Sequence, residues 1–317
     1  MSEARLIAVV GATGAQGGSL VRAILDDPDG GFVARAITRD PAGEKARSLA
    51  DQGVEVFQAD LDDEVSLARA FAGAHGVFCV TNFWEHFSAD KEIDQARNQA
   101  KAAKTAGVRH AIWSSLEDTR RFVTDDRMPN LQEKYKVPHF DAKEVAEGVF
   151  REEGVPTTVL RTAFYWENFI YFGLGPQRGE DGVLSITFPL GSARMPSMAA
   201  EDIGRIAYGI FKRGDELIGQ TISVAGDHPT GAEFARKLGA AIGEEVRYND
   251  VDPDVYRSFD FPGADELGNM FQFKRDFEAE YVGARDLNVA RSLNPELQDF
   301  DTWLAANSSR IPVTPKE

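Results

Sequence analysis

Three glycines at three-residue steps follow a short apolar run near the start of the chain. The run ends at Gly11, and Gly14 and Gly17 open a helical pattern. The first glycine permits a sharp turn, the second lets phosphates approach the backbone, and the third lets the helix pack close to the strand. Free N–H groups at the helix N-terminus then attract the anion. The spacing predicts a dinucleotide pyrophosphate site, with a simple glycine turn as the alternative. The residues assigned to this site are Gly11, Thr13, Gly14, Ala15, Gln16 and Gly17.

The end of the second predicted strand indicates which dinucleotide binds. Arg39 is the first charged residue after that strand, and a guanidinium pairs well with the 2′-phosphate of NADP. Thr38 adds a hydroxyl and Lys45 a second positive charge. An acidic residue at this position binds the ribose 2′-OH of NAD instead, so Asp40 would favour NAD if it pointed inward. Arg39 and Asp40 could also simply pair on the surface. We predict NADP(H), with NAD(H) as the alternative.

Other predicted strands end in residues that suit the remaining parts of a dinucleotide. Asp60 could accept the adenine amino group while Leu61 covers the ring, although Asp60 could equally cap the next helix. Asn82, or its backbone, could contact the nicotinamide ribose, with a simple turn as the alternative. These residues leave the strands at the edge that lines the crevice of open α/β sheets. The strand-end set is Asp60, Leu61, Thr81, Asn82, Phe83 and Ser114.

These motifs resemble the short-chain dehydrogenase/reductase superfamily. The resemblance rests on the glycine pattern, the basic group after strand two, the serine after strand five and Lys143 on the next helix. The details are more similar to the atypical NmrA-like branch, and the segment Val137–Lys143 is especially similar to NADPH-sensor NmrA-like proteins of animals. The motifs are Gly-Ala-Thr-Gly-Ala-Gln-Gly-Gly from Gly11, Thr-Arg-Asp-Pro from Thr38, Val-Pro-His-Phe-Asp-Ala-Lys from Val137, and Tyr-Trp-Glu-Asn-Phe from Tyr165.

The resemblance implies a catalytic tyrosine four residues before the lysine, but His139 stands there. In the superfamily the tyrosine donates a proton, and the lysine lowers the pKa of that tyrosine and holds the ribose hydroxyls. Lys143 keeps the ribose role by this resemblance. His139, one helical turn away, could act as an acid near pH 7, although a neighbouring ammonium would keep it mostly neutral. Tyr165 offers another phenol. The alternatives are a space-filling or capping His139, a solvated Lys143, and aromatic core around Tyr165.

The elements that must position these residues alternate between strands and helices. Such alternation predicts an α/β fold with a Rossmann-type, doubly wound parallel sheet. The dinucleotide-binding domain should cover residues 1–161 and receive parts of 190–226. Residues 162–189 and 227–317 should form a smaller α/β region on the substrate or partner side. Loops at 83–89 and 119–133 are candidates to close over the cofactor.

Composition narrows the possible partners. The 317 residues are 43% hydrophobic and carry a net charge of −16, which disfavours direct binding to nucleic acid. Cys79 is the only cysteine, so an internal disulfide is excluded. The five histidines are scattered, and no metal site is predicted. There is no apolar run of about 20 residues and no leader before Arg5, so we expect a cytoplasmic protein without membrane contact.

Two functions remain open at this stage. The first is an NADP(H)-binding redox sensor or regulatory protein with little turnover, which would report cofactor state to a protein partner. The second is an NADPH-dependent reductase of a small aromatic or conjugated substrate, using Lys143 with Tyr165 or His139. A dimer is possible in either case.

Overall fold

The computed structural model describes residues 4–124 and 126–313. The strands are β1 (Arg5–Val10), β2 (Phe32–Thr38), β3 (Glu55–Gln58), β4 (Gly76–Cys79), β5 (His110–Ser115), β6 (Thr157–Arg161), β7 (Phe164–Tyr165), β8 (Gln177–Arg178), β9 (Leu184–Phe188), β10 (Ser197–Met198), β11 (Thr221–Ser223) and β12 (Val246–Asp250). The helices are α1 (Ala15–Leu25), α2 (Glu44–Asp51), α3 (Glu64–Phe71), α4 (Ala89–Thr105), α5 (Pro138–Glu152), α6 (Asn168–Tyr171), α7 (Ala200–Arg213), α8 (Gly231–Ile242), α9 (Pro253–Arg257), α10 (Ala264–Asp276), α11 (Glu278–Gly283), α12 (Leu287–Leu293) and α13 (Phe300–Asn307).

The chain divides into two compact units. The first contains the residues up to Asp118 together with Pro138–Thr162 and Ala200–Ser223. The second contains Thr119–Val137, Ala163–Ala199 and the residues from Val224 onward.

A parallel seven-stranded sheet forms the centre of the first unit, in the order β11-β6-β5-β4-β1-β2-β3. The chain first winds outward from β1 to β3 and then returns to β4 on the other side of β1. The winding direction therefore reverses between β1 and β4, and ligands of such sheets bind at the carboxyl ends of the strands around this reversal. The predicted Rossmann-type, doubly wound fold is confirmed.

Helices cover the strands of this sheet, and the strands are correspondingly apolar. Every residue of β4 and β5 is buried, as parallel sheets with covered faces require. Helices α3, α4 and α5 pack side by side, while α1 packs against α7. The latter contact is so close that a Cβ on Gly204 would lie 2.2 Å from the backbone nitrogen of Leu20.

The second unit contains two small sheets and the remaining helices. Strands β7 and β10 pair in parallel, and β9 lies between β8 and β12. Its core is aromatic: Phe300 stacks on Trp303 with ring centroids 5.9 Å apart and also packs against Trp166. Trp166, the neighbour of Tyr165, thus belongs to an aromatic core.

Residues 119–137 were expected in the first region, whereas the structure groups them with the second unit. Long-range hydrogen bonds explain this grouping. The side chain of Asn269 donates to the carbonyls of Pro129 and Lys136, at 3.0 and 2.6 Å, and Gln272 donates to the carbonyl of Arg127 at 2.9 Å. No helix within the described residues is both long enough and apolar enough to span a membrane.

Candidate dinucleotide site

The glycine turn after β1 has the geometry that its sequence requires. Gly11 has a φ of +64°, in the left-handed region that favours glycine, and its carbonyl accepts a hydrogen bond from the N–H of Gly14 at 2.8 Å. A Cβ on Gly17 would lie 2.5 Å from the same carbonyl oxygen, so only glycine fits between helix and strand there. The turn therefore places the start of α1 directly at the carboxyl end of β1.

The N-terminus of α1 is suited to an anion. Gly14 is the N-cap, so no side chain caps the helix, and the first turn contains no acidic residue. The first N–H groups of a helix have no partner within the helix, and the positive end of its dipole adds to their attraction. Ser114, at the end of β5, donates to the side-chain carbonyl of Gln16 at 2.7 Å. The predicted residues Thr13, Ala15 and Gln16 thus lie at this turn or in the first helical turn.

Arg39 lies just beyond β2 and is paired with a carboxylate that sequence analysis missed. Its guanidinium donates to both carboxylate oxygens of Glu85, and the bond from Nη2 to Oε2 measures 3.1 Å. This bond raises the pKa of Arg39 above its ordinary value. Asp40 instead forms hydrogen bonds with neighbouring residues. Its Oδ1 accepts from the N–H of Ala42 at 3.0 Å, and its own N–H donates to the hydroxyl of Thr38. The suggested surface pair between Arg39 and Asp40 is therefore not formed.

A cavity of about 240 Å³ lies beside Arg39 at the predicted adenine position. Asp60 lines it and is exposed, and its Oδ1 accepts from the N–H of Asp62 at 3.0 Å. Helix α3 is capped by Asp63 rather than by Asp60, which corrects the capping alternative. The cavity also receives Arg69 from α3, a second guanidinium that the sequence pattern did not distinguish from a solvated helix residue. The lining residues are Arg39, Gln58, Ala59, Asp60, Asp63, Ser66 and Arg69.

Two other predicted residues, Leu61 and Lys45, lie outside the lining of this cavity. Leu61 is half-buried, and its carbonyl accepts from the side chain of Asn98 at 2.8 Å. Lys45 lies exposed in the first turn of α2.

Lys143 occupies a buried polar site at the opposite end of the candidate region. Its Nζ lies 2.9 Å from Oε1 of Glu92 and donates to the hydroxyl of Thr81 at 2.8 Å. The side chain of Lys143 is 11% exposed and that of Glu92 is fully buried, so the solvated-lysine alternative is wrong. The hydroxyl of Thr81 donates to the same carboxylate oxygen at 2.5 Å. Within the described part of the chain, Oε2 of Glu92 has no hydrogen-bond partner.

A second buried network fixes the helix that carries Lys143. The indole nitrogen of Trp113 donates to the Lys143 carbonyl at 2.9 Å, and Ser115 donates to Oε1 of Glu147 at 2.6 Å. Arg161 also donates to both carboxylate oxygens of Glu147. Burial raises the pKa of Glu147 despite these partners. These bonds tie α5 to the ends of β5 and β6, which holds Lys143 in place.

His139 lies one turn before Lys143 within an aromatic cluster. It is 6% exposed, and its ring centroid lies 5.0 Å from that of Trp84 and 5.7 Å from that of Phe83. Phe83 is buried in the same cluster, whereas Asn82 is exposed where the 3₁₀ turn Phe83–Glu85 begins. This packing favours the interpretation of His139 as a space-filling side chain.

Tyr165 belongs to the second unit. It lies in the short strand β7, is half-buried, and stands in register with Met198 of β10. Across residues 4–124 and 126–313, no group of three or more His, Cys, Asp or Glu residues is placed to hold a metal ion. Cys79 is buried, and burial raises the pKa of its thiol.

The chain is similar to a known protein family and to several solved structures. The model of the NmrA-like family matches residues 3–304. The NmrA-like family domain-containing oxidoreductase FrzB of Cladobotryum sp is 32% identical over 300 residues, which cover 87% of this chain and 85% of FrzB. Among solved structures, the negative transcriptional regulator NmrA in complex with NADP is 24% identical with a TM-score of 0.78, over 96% of this chain and 95% of its own. The NADPH-dependent quinone oxidoreductase QOR2 of Escherichia coli, complexed with NADPH, is 25% identical with a TM-score of 0.74, over 96% and 98%.

Proposed function

This chain belongs to the NmrA-like family, and we propose that it binds NADP(H) and reduces a small conjugated acceptor. One observation carries the binding proposal. The uncapped N-terminus of α1 stands at the carboxyl edge of the sheet, and the same edge carries a guanidinium after β2 and a lysine beside the end of β4. The three groups correspond to the pyrophosphate, the 2′-phosphate and the nicotinamide ribose of one dinucleotide.

Different residues of the chain would bind different parts of the cofactor. The α1 N-terminus holds the pyrophosphate, and Arg39 pairs with the 2′-phosphate. In the cavity beside Arg39, Asp60 accepts a hydrogen bond from the adenine amino group. Lys143 is the residue for the ribose hydroxyls of the nicotinamide. The cofactor would supply a hydride, and the buried network behind Lys143 would keep the lysine correctly oriented. QOR2 is described as NADPH-dependent, which supports the choice of NADP(H).

The missing tyrosine limits the acceptors that such a site can reduce. A simple carbonyl needs a proton donor when hydride arrives, because an isolated alkoxide is strongly basic. A conjugated acceptor such as a quinone or an iminium ion gives a delocalised anion or a neutral product, and water can supply any remaining proton. His139 is held in an aromatic cluster, so the proposal assigns no acid to the protein. Curated relatives named oxidoreductases support a hydride-transfer function.

A turnover assay tests this proposal. Purified protein is given NADPH together with quinones, iminium dyes, enones and simple aldehydes, and cofactor oxidation is followed by its absorbance. We expect turnover above about 1 s⁻¹, a typical enzymatic rate, on one of the first two classes and none on simple aldehydes. Lys143→Met should abolish that turnover, and a folded-state control by circular dichroism separates this loss from unfolding.

The second candidate is a redox-sensing or regulatory protein with little turnover. The burial of His139 at the tyrosine position favours it, because a sensor needs cofactor binding without an acid. In this case a protein partner would respond to the bound cofactor. Tight NADPH binding measured by calorimetry, together with silence across the whole acceptor panel, would support the sensor and contradict the reductase.

A further inference from the structure

Glu85 holds the guanidinium that the proposed function assigns to the 2′-phosphate. It lies in the 3₁₀ turn Phe83–Glu85 after β4, while Arg39 follows β2. The pair is two-pronged, with one bond from each terminal nitrogen of Arg39 to one oxygen of Glu85. A carboxylate presents two oxygens to the guanidinium fork in the same way as a phosphate does.

We propose that Glu85 is a specificity-determining residue that competes with the 2′-phosphate for Arg39, so that NADP(H) must displace Glu85 whereas NAD(H) leaves the pair intact. This inference rests on the proposed function, because it assumes a dinucleotide at this edge of the sheet. A phosphate monoester carries about 1.5 to 2 negative charges at pH 7 and offers three acceptor oxygens, so it can replace a single carboxylate. The ribose 2′-OH of NAD carries no charge, so it does not compete with Glu85 for Arg39.

The surroundings allow the exchange to occur. The side chain of Arg39 is 61% exposed and that of Glu85 is 46% exposed. Exposed ion pairs contribute little stability, so a phosphate can separate this one without disturbing the fold. The backbone of Arg39 is held independently, since the side chain of Gln58 donates to its carbonyl at 3.0 Å. Arg39 can therefore change partners while its position after β2 is kept.

If Glu85 stayed in place, it would repel the incoming phosphate, so the turn that carries it should move. Trp84 precedes Glu85 in this turn and packs against His139. Phe87 follows with a φ of +53°, a conformation uncommon for a residue other than glycine. A segment with this strain next to an exposed ion pair is suited to respond when the ion pair is broken.

The variant Glu85→Gln tests the competition directly. The matched control is Glu55→Gln. Glu55, in β3, is 53% exposed and pairs at 2.8 Å with Arg35 of β2, the strand that Arg39 follows. Dissociation constants for NADP⁺ and NAD⁺ are measured by calorimetry for the wild type and both variants. We expect Glu85→Gln to tighten NADP⁺ binding by about two- to fivefold and to change NAD⁺ binding by less than about twofold. Glu55→Gln should leave the ratio of the two constants unchanged.

A double-mutant cycle identifies Arg39 as the shared partner. In the Arg39→Ala background, Glu85→Gln should no longer alter the NADP⁺ to NAD⁺ ratio, because no guanidinium remains to compete for. Weaker NADP⁺ binding in Glu85→Gln would mean that Glu85 positions Arg39 and would overturn the proposal, as would an unchanged ratio. If wild-type protein binds neither nucleotide, the proposed function itself fails, which is a distinguishable result.

Tryptophan emission reports the expected movement. The other three tryptophans are at most 2% exposed, whereas Trp84 is half-buried. Saturating NADP⁺ should change the emission of wild-type protein more than saturating NAD⁺ does, and Trp84→Phe should remove that difference. Equal changes with both nucleotides would contradict displacement of the turn.

Discussion

Two cations stand at the two ends of the candidate site, and each is paired with a carboxylate in opposite surroundings. The pair of Arg39 with Glu85 is largely exposed, whereas Lys143 is 11% exposed and its partner Glu92 is fully buried. An exposed pair contributes about 0–1 kcal/mol to stability, but removing one partner of a buried pair costs about 3–5 kcal/mol. The first end can exchange partners, while the second is part of the folded core.

The difference assigns different tasks to the two ends. A residue that distinguishes two cofactors must be able to change partners, so exposure suits Arg39. A residue that orients the reacting end of a cofactor must not move, so burial suits Lys143. Glu92, Thr81 and the Trp113 bond to the helix backbone all restrict Lys143. The following experiments test this difference between exposed and buried charges.

The largest effect is expected from Lys143→Met. It would leave the carboxylate of Glu92 buried without its cation, so we expect the free energy of unfolding to fall by about 4 kcal/mol. Urea denaturation followed by circular dichroism measures this loss. The double variant Lys143→Met, Glu92→Gln removes the isolated charge and should recover at least half of it. A loss below about 1 kcal/mol in the single variant would show that the pair is exposed in solution.

The effect of burial on an ionisable side chain can also be tested at His110, which lies in β5 of the central sheet. Burial lowers the pKa of His110 from 6.5 to about 4, and its ring bonds to the hydroxyl of Thr158 at 2.8 Å. Between pH 6.5 and pH 4, His110 binds a proton in the unfolded chain but stays neutral in the folded protein. The free energy of unfolding therefore falls as the pH drops from 6.5 toward 4. Each unit of pKa difference corresponds to 1.36 kcal/mol, so this contribution is about 3 kcal/mol.

The variant His110→Gln should therefore lose about 3 kcal/mol less than the wild type between pH 7 and pH 4. Urea denaturation at both pH values gives the difference, and a variant with the same acid sensitivity as the wild type would contradict the assignment. Stability at pH 7 itself is expected to fall modestly, because the bond to Thr158 is altered.

At the exposed end the effect should appear in cofactor choice and not in stability. Arg39→Ala removes a charge-assisted pair with the 2′-phosphate, and such bonds contribute about 1.5–3 kcal/mol. We expect NADPH to bind about 10- to 100-fold more weakly, with NADH unchanged within about twofold and the midpoint of thermal unfolding unchanged within about 2 °C. Lys45→Ala is the comparison, because Lys45 is exposed nearby and should cost less. An equal loss of both nucleotides would remove Arg39 from the 2′-phosphate site.

The sequence patterns indicate the cation at each end of the candidate site but neither of the carboxylates that pair with them. Arg39 and Lys143 occupy recognisable positions after a strand and on the following helix. Glu85 and Glu92 lie in a turn and on a helix where acidic residues are usually solvated, and nothing in their spacing distinguishes them. The pairing of Glu85 with Arg39 depends on strand order, since β4 and β2 lie on either side of β1 and bring their carboxyl ends to the same edge. The pairing of Glu92 with Lys143 depends on the packing of α4 against α5.

Local patterns predicted the first unit better than the second for a physical reason. Strands β1 and β2 end where their apolar runs meet turn residues, so the local sequence is sufficient to predict them. Helix α10 was not predicted, since its buried face contains the polar residues Asn269, Gln272 and Lys274, which interrupt the apolar periodicity. The side chains of Asn269 and Gln272 bond to the distant carbonyls of Pro129 and Arg127, which local sequence does not reveal.

The smallest effect concerns salt and separates the two ends without any substitution. Ions screen exposed charges more than buried ones, so NADPH binding should weaken more than NADH binding when salt rises from 0.05 to about 0.5 M. We expect the NADPH to NADH affinity ratio to fall only about threefold, because salt also weakens the competing bond from Arg39 to Glu85. Titrations at both salt concentrations measure the ratio, and Arg39→Ala is the control in which it should stay constant. If the ratio does not change with salt in the wild type, a buried group binds the 2′-phosphate. In that case the proposed contrast, in which exposed Arg39 selects the cofactor and buried Lys143 orients it, is wrong.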